Sequence, residues 1–225
     1  MAKFYDELTK DVCYDDFLNY YKTEFKRDGG EFRLILDLCC GTGTLTNMMN
    51  ESGYEMISVD SSEDMLIEAR EKCPDALFIC QDVKELDLFG TVDACYSSLD
   101  SINYIKSVDL DAVFKRLSYF IRPGGLFIFD IRTSNWLRQM DGMTSVDEND
   151  EMLCLWRADF VDDYLLYGMD IFKKQGKLWS RDREEHIEYA HELETLEKKL
   201  RKNGFIITKT YEYKTERLFI TAKRK

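Results

Sequence analysis

The feature that most limits what this chain can become is a change of texture at Phe32, after which short apolar runs alternate with amphipathic stretches. The runs are "FRLILDL", "YEMISVD", "ALFICQD", "VDACYSS" and "GLFIFDI", and the spacing of apolar side chains predicts helices over Thr44–Glu51, Glu63–Lys72 and 109–121 among them. Strands this rich in Ile, Leu, Phe and Val lack the polar alternation of a sheet with one wet face. With helical spacers they imply right-handed crossovers, hence a doubly wound, Rossmann-like α/β sheet that is mostly parallel.

The chain ends read differently. The segment up to about residue 27 is expected to be helical, with Phe17, Leu18, Tyr20, Tyr21 and Phe25 on one apolar face. Past about residue 138, "MLCLWRADFV", "YLLYGMDIFKKQG" and "KLWSRDREEHIEY" alternate apolar and polar residues around turn residues Asp162, Asp163 and Gly176. That pattern predicts an antiparallel β insert of two or three strands over about 150–189. A helix ending at Gly204 and a C-terminal antiparallel hairpin, "FIITKTYEY" with "RLFITAKR", close the chain. With 225 residues the expectation is one domain, its core formed by 30–138 and 190–225. Ser61, with Asp64 three residues on, reads as a helix N-cap, and "RPGG" at 122–125 as a helix stop that turns into the next strand.

Composition narrows the function. A net charge of −12 with scattered basic residues disfavours a nucleic-acid partner, since such affinity rests on Lys and Arg contacts to phosphates. The seven cysteines are odd in number and sit mostly in apolar runs, which suits reduced thiols; Cys39 and Cys40 read as small hydrophobes beside a turn. Neither a CxxC pair nor a Cys/His cluster occurs, and His186 and His191 fall off a common helical face, so no metal is expected. The charged N-terminal segment does not read as a signal peptide and no run is long enough for a membrane span, so a cytoplasmic protein, monomer or homodimer, is expected.

Chemistry concentrates at "LDLCCGTGT". In a doubly wound sheet the first strand-to-helix turn is the usual ligand cradle, and Gly41 and Gly43 there let a backbone approach an anion. Three acids, Asp37, Asp60 and Asp82, stand at or near successive strand ends. Asp60 is placed to accept ribose hydroxyls and Asp82 an adenine amino group, which points to an adenosine-containing cofactor, NAD or S-adenosylmethionine. The dinucleotide fingerprint wants a third glycine where Thr46 stands, and little chain remains for a separate catalytic domain. A cofactor ending in an amino acid suits the turn better.

Together "LDLCCGTGT", "SVDSSEDML", "FICQDVKELDL", "DACYSSLDSINYI" and "PGGLFIFDI" resemble, in order, the signature segments of class I S-adenosylmethionine-dependent methyltransferases. "FYDELTKDVCYDDF", "DSINYI" and "REEHIEY" are similar to the small bacterial YqeM-like members, which carry an antiparallel insert before the last helix. The resemblance implies that Asp37 and the backbone of 41–43 hold the methionine end, Asp60 the ribose, and Asp82 with Val83 the adenine, while Tyr5 closes over the cofactor. Cys39, Thr42, Ser61, Met65, Gln81 and Ser98 complete the expected cofactor contacts; Cys39 departs from the family, whose usual residue there is glycine.

Methyl transfer from a sulfonium is an in-line displacement, so alignment matters most and a base is needed only for a protonated acceptor. The end of the fourth strand should lie beside the methyl group, which makes Asp100 and Tyr104 candidate catalytic residues and Asn103 a candidate acceptor contact. His186 on the insert is a third catalytic candidate, and Arg132 and Trp156 are expected on the acceptor wall. The Asn/Asp-Pro-Pro-Tyr/Phe and Pro-Cys patterns of DNA base methylation are missing, and the chain's two prolines are Pro74 and Pro123. The expected acceptor is a small-molecule amine or hydroxyl; RNA or protein methylation, or a non-catalytic sensor or assembly role, are the alternatives.

Overall fold

In a computed structural model that describes residues 2–225, the chain forms two sheets. Helices α1 (Ala2–Leu8) and α2 (Tyr14–Asp28) come first, so the N-terminal helix is broken over 9–13, where the Tyr14 and Thr9 hydroxyls meet at 3.0 Å. Then follow β1 (Leu34–Leu38), α3 (Thr44–Glu51), β2 (Glu55–Asp60), α4 (Glu63–Lys72), β3 (Leu77–Cys80), β4 (Val92–Ser97), α5 (Leu110–Phe120) and β5 (Ile121–Arg132). The β1 strand pairs in parallel with both β2 and β4, β3 with β2, and β5 with β4. Strand order therefore reverses between β1 and β4, which opens a crevice beyond their carboxyl ends.

After α6 (Ser134–Gln139), strands β6 (Met143–Glu148), β7 (Met152–Val161), β8 (Tyr164–Gln175) and β9 (Leu178–Tyr189) form a separate four-stranded antiparallel sheet. Helix α7 (Leu193–Lys202) leads into β10 (Phe205–Tyr213) and β11 (Arg217–Arg224). In the seven-stranded sheet β11 lies antiparallel between β5 and β10, giving the order β10-β11-β5-β4-β1-β2-β3.

Side-chain alternation along β1 shows why both faces of the main sheet are dry. Ile35 joins Phe17, Tyr21 and Phe25 on one face, while Leu36 and Leu38 join Phe114, Phe127 and Phe129 on the other. Each such side chain, fully buried, contributes about 1.5–3 kcal/mol.

Three details differ from the sequence reading. The N-cap of α4 is Ser62, whose Oγ accepts from Met65 N–H at 3.3 Å, which leaves Ser61 one residue outside the helix. "RPGG" lies inside β5: Val92 pairs with Ile121 and Ala94 with Leu126, so the intervening residues bulge out, anchored by Arg122 Nε donating to Asp93 Oδ1 at 2.8 Å. The insert has four strands and starts at Met143, because β6 is an edge strand whose side chains are almost all exposed and carry no apolar alternation.

Candidate active site

The turn after β1 is built from hydrogen bonds to the neighbouring strand and from left-handed residues. Cys39 and Cys40 both donate N–H to Val59 O, at 2.8 and 3.1 Å. Cys39, Gly41 and Gly43 have φ of +63°, +54° and +74°, a region that costs an L-residue roughly 1–2 kcal/mol. Cys39, the one residue of the three with a side chain, carries that strain. A Cβ on Gly43 would sit 2.8 Å from Ala69 Cβ, so α4 packs against the turn through this glycine. A Cβ on Gly41 would meet nothing within 4 Å, because that residue borders open space. Burial, with the nearby Asp60 and Asp37 charges, pushes the Cys39 and Cys40 thiols up, so both stay neutral.

The strand-end acids hold this turn. Asp60 accepts Gly41 N–H on Oδ2 and Ser62 N–H on Oδ1, both at 2.9 Å, which couples the glycine turn to the start of α4. Asp37 is buried and accepts from Thr46 Oγ1 at 2.6 Å and Tyr96 Oη at 2.8 Å. Burial raises its pKa to about 7 in spite of these donors. Thr46, where a dinucleotide site would have glycine, is fully buried and committed to Asp37.

Above the turn lies a cavity of about 650 Å³. Cys39, Gly41, Asp60, Ser61 and Met65 line one end; Trp136, Trp156, Tyr167 and His186 line the other. A recess of about 40 Å³ adjoins it, bordered by Asp37, Thr42 and Ser98. Tyr5 lines both spaces from α1. That helix is fastened down by Asp6, which pairs with Lys72 at 2.6 Å and accepts from Thr42 Oγ1 at 2.7 Å. Its Leu8 packs against Cys154, Met169 and Ile171 of the insert, and further along the same sheet face Ala158 and Leu165 seat on Leu137 of α6.

Gln81, Asp82 and Val83 follow β3, whose last residue pairs with Asp60, and their side chains lie outside the wall of the large cavity. Asp82 caps its own turn, accepting from Lys84 N–H at 2.9 Å, and the Gln81 amide brackets the Asp87 backbone. Ser98 is hydrogen bonded to the Tyr21 hydroxyl at 2.6 Å.

The floor between the two ends of the cavity is charged. Asp100, at φ +55° after β4, is buried and paired with Arg217 at 2.7 Å and Arg132 at 3.5 Å. Burial alone would raise it, but these guanidiniums outweigh burial and hold its carboxyl below the usual range, which leaves it a poor base. Arg217 also pairs with Asp130, which accepts the N–H groups of Leu99 and Asp100 at 2.9 Å. Arg132 lies over the Trp136 ring at 4.1 Å and faces Glu188 at 3.7 Å. Tyr104 lines the cavity with its hydroxyl 3.4 Å from Glu188 Oε1. His186 Nε2 is 3.2 Å from Glu184, and Trp156 Nε1 donates to Asp147 Oδ2 at 2.5 Å.

Asn103 is fully buried and does not line the cavity: its Nδ2 donates to Tyr189 O at 2.9 Å and Arg132 O at 3.3 Å while its Oδ1 accepts Arg132 N–H at 3.0 Å, so it clamps β5 to β9. Asp130, Glu188, Arg217, Trp136 and Tyr167 were not singled out by the sequence reading. Their approach depends on β11 lying beside β5 and on the insert folding back, which no local pattern encodes. Among the described residues no cluster of His, Cys, Asp and Glu could hold a metal, and no helix is long and apolar enough to cross a membrane.

A switch-point crevice, a left-handed glycine turn and a strand-end carboxylate braced against it define a nucleoside-binding α/β enzyme site. Known proteins narrow this further. A methyltransferase domain family matches residues 35–125. The putative methyltransferase YqeM of Bacillus subtilis is 29% identical, with 99% of this chain aligned to 95% of the relative. The crystal structure of an S-adenosylmethionine-dependent methyltransferase from Clostridium acetobutylicum superposes with a TM-score of 0.90 at 32% identity, covering 99% of this chain and 97% of that one. The chain belongs to the class I S-adenosylmethionine-dependent methyltransferases and is similar to their YqeM-like members. The fold also matches the S-adenosylmethionine-bound amino pentose methyltransferase CalS10 of Micromonospora echinaspora, at a TM-score of 0.85 and 15% identity, over 100% of this chain and 97% of that one.

Proposed function

We propose that this single-domain enzyme methylates a small amine or hydroxyl acceptor held between the glycine turn and the antiparallel insert, which acts as a lid. The observation that carries the reading is one continuous cavity of about 650 Å³ that runs from Asp60 and Gly41 to an aromatic wall on the insert and α6. This is the size of a small-ligand site, lined mostly by apolar and aromatic side chains with a few polar groups.

The residues present suit the cofactor. Gly41 leaves open space where a side chain would protrude, and Asp60 retains lone pairs for ribose hydroxyls after accepting two backbone N–H groups. The small recess at Asp37, Thr42 and Ser98 suits the methionine end, Tyr5 would close over the site, and Asp82 with the Val83 backbone stands at the adenine end. Cys39, Ser61, Met65 and Gln81 would complete the contacts. When bound, S-adenosylmethionine supplies an electrophilic methyl group. The chain's part is to align the acceptor, exclude water and manage its proton. Tyr104, Arg132, Trp156 and His186 would form the acceptor wall.

Thermal melting tests this. S-adenosylhomocysteine at about 100 times its dissociation constant should add roughly 2.7 kcal/mol and raise the midpoint by several degrees. A shift with NAD and none with either sulfur nucleoside would refute the reading.

A further inference from the structure

We propose that Glu188 takes the proton from the methyl acceptor, and that this acceptor is a small amine which enters as its ammonium ion. The inference rests on the reading of the cavity as a methyl-transfer site and names the acceptor class and the proton's destination.

Geometry singles out Glu188. It lines the cavity from β9, is 4% exposed, and its Oε2 is out of solvent with no hydrogen-bond partner. The facing cation, Arg132, has a buried Nε that also lacks a hydrogen bond; it stands 3.5 Å from Asp100 Oδ1 and 3.7 Å from Glu188 Oε2. At Oε2 the Glu188 carboxylate is thus steadied by charge without being fixed by a hydrogen bond. Its Oε1 meets the Tyr104 hydroxyl at 3.4 Å, on the same cavity wall.

Charge counting gives the reason. Asp100 and Asp130 already match the guanidiniums of Arg132 and Arg217, so Glu188 is a third carboxylate for two cations. Burial pushes Asp130 up, but two backbone N–H donors and Arg217 oppose this, and a guanidinium pairs best with an anion. The groups facing Glu188 are Asp100 from the loop after β4, Tyr104, Arg132 from β5, Tyr167 from β8 and Arg217 from β11, with His186 two residues before it on β9. Burial and the Asp100 charge raise Glu188 to about 7, against Arg132, Arg217 and Tyr104.

When ionised, the cluster carries one excess negative charge, which an ammonium neutralises and an alcohol does not. The aromatic wall of Trp156 and Tyr167 also favours a cation. The ammonium N–H proton passes to the Glu188 carboxylate. The freed nitrogen lone pair forms the N–C bond while the methyl–sulfur bonding pair stays on sulfur. Glu188 returns its proton to water as product leaves. An alcohol O–H is too weak an acid for a base of this strength to deprotonate, whereas an ammonium gives its proton up far more readily.

Calorimetry on the S-adenosylhomocysteine complex, with cyclohexylamine and cyclohexanol as same-shaped probes, tests this directly. At pH 8 the amine should bind at least tenfold tighter than the alcohol; Glu188→Gln should erase that preference and Glu188→Asp should keep part of it. Amine affinity should weaken as pH falls through about 7, with proton release seen in buffers of different ionisation heat. With S-adenosylmethionine, methylation of cyclohexylamine should rise with pH through the same point, and Glu188→Gln should slow it about 100-fold and remove the rise. Equal binding of both probes, or an unchanged pH profile in Glu188→Gln, overturns the proposal. Affinity for S-adenosylhomocysteine itself, expected to be equal in wild type and Glu188→Gln, tests the methyltransferase reading separately.

Discussion

Alanine at Gly43 and alanine at Gly41 should fail in opposite ways, although the residues are two apart and both left-handed. At Gly43 the new Cβ carries the left-handed penalty of roughly 1–2 kcal/mol and also meets Ala69 Cβ at 2.8 Å and its Cα at 3.2 Å. These atoms belong to α4 and cannot swing aside, so overpacking adds about 1–3 kcal/mol. Less flexibility in the unfolded chain returns about 0.4–1 kcal/mol. The net loss for Gly43→Ala is about 2–4 kcal/mol. Gly41→Ala has the same backbone terms and no clash, so its stability loss should stay near 1 kcal/mol, but its methyl would occupy the cavity edge beside Asp60. Its affinity for S-adenosylhomocysteine should fall tenfold or more, about 1.4 kcal/mol. Urea unfolding measures the first effect and calorimetry the second. Gly43→Ala within 0.5 kcal/mol of wild type, a margin inside ordinary surface-substitution scatter, would refute the packing argument. Gly41→Ala binding like wild type would refute the cradle.

Asp60→Ala should weaken nucleoside binding by about 1.5–3 kcal/mol, read by the same calorimetry, since it removes both the brace on Gly41 and a charged acceptor. Arg217→Leu should cost about 3–5 kcal/mol in urea unfolding by stranding the buried Asp100 and Asp130 carboxylates. Glu188 has a folded pKa raised to about 7, so the folded state binds the extra proton, and stability falls as pH rises from the ordinary glutamate range to 7. Glu188→Gln should make that fall shallower in melting curves taken between pH 5 and 8, leaving the share of Asp37, whose pKa is also raised to about 7. Hydrogen exchange on β7, β8 and α1 should slow when S-adenosylhomocysteine binds, as expected of a lid.

The parts legible in the sequence are those governed by local pattern. The bounds of α3 and α4 match the apolar spacing, and the strand cores follow runs whose two faces are both buried, as Ile35 and Leu36 show. The glycine turn was readable because left-handed backbone demands particular residues, and Asp60 because its place at a strand end is local too. Where energetics are non-local the reading faltered. Edge strand β6 has no buried face to impose alternation, and the β5 bulge is set by its pairing with β4. Asn103 reads as a free polar group until β9 arrives to use it, and Glu188 is one acid among several on its strand until Arg132 and Arg217 face it.

The most direct test of the account incubates purified protein with S-adenosylmethionine labelled on its methyl group and a bacterial extract separated into metabolite, RNA and protein fractions. The account predicts label in the metabolite fraction, on nitrogen, and strongly reduced with Glu188→Gln. Label confined to RNA or protein would contradict the small-molecule acceptor, and no transfer to any fraction would contradict methyl transfer itself.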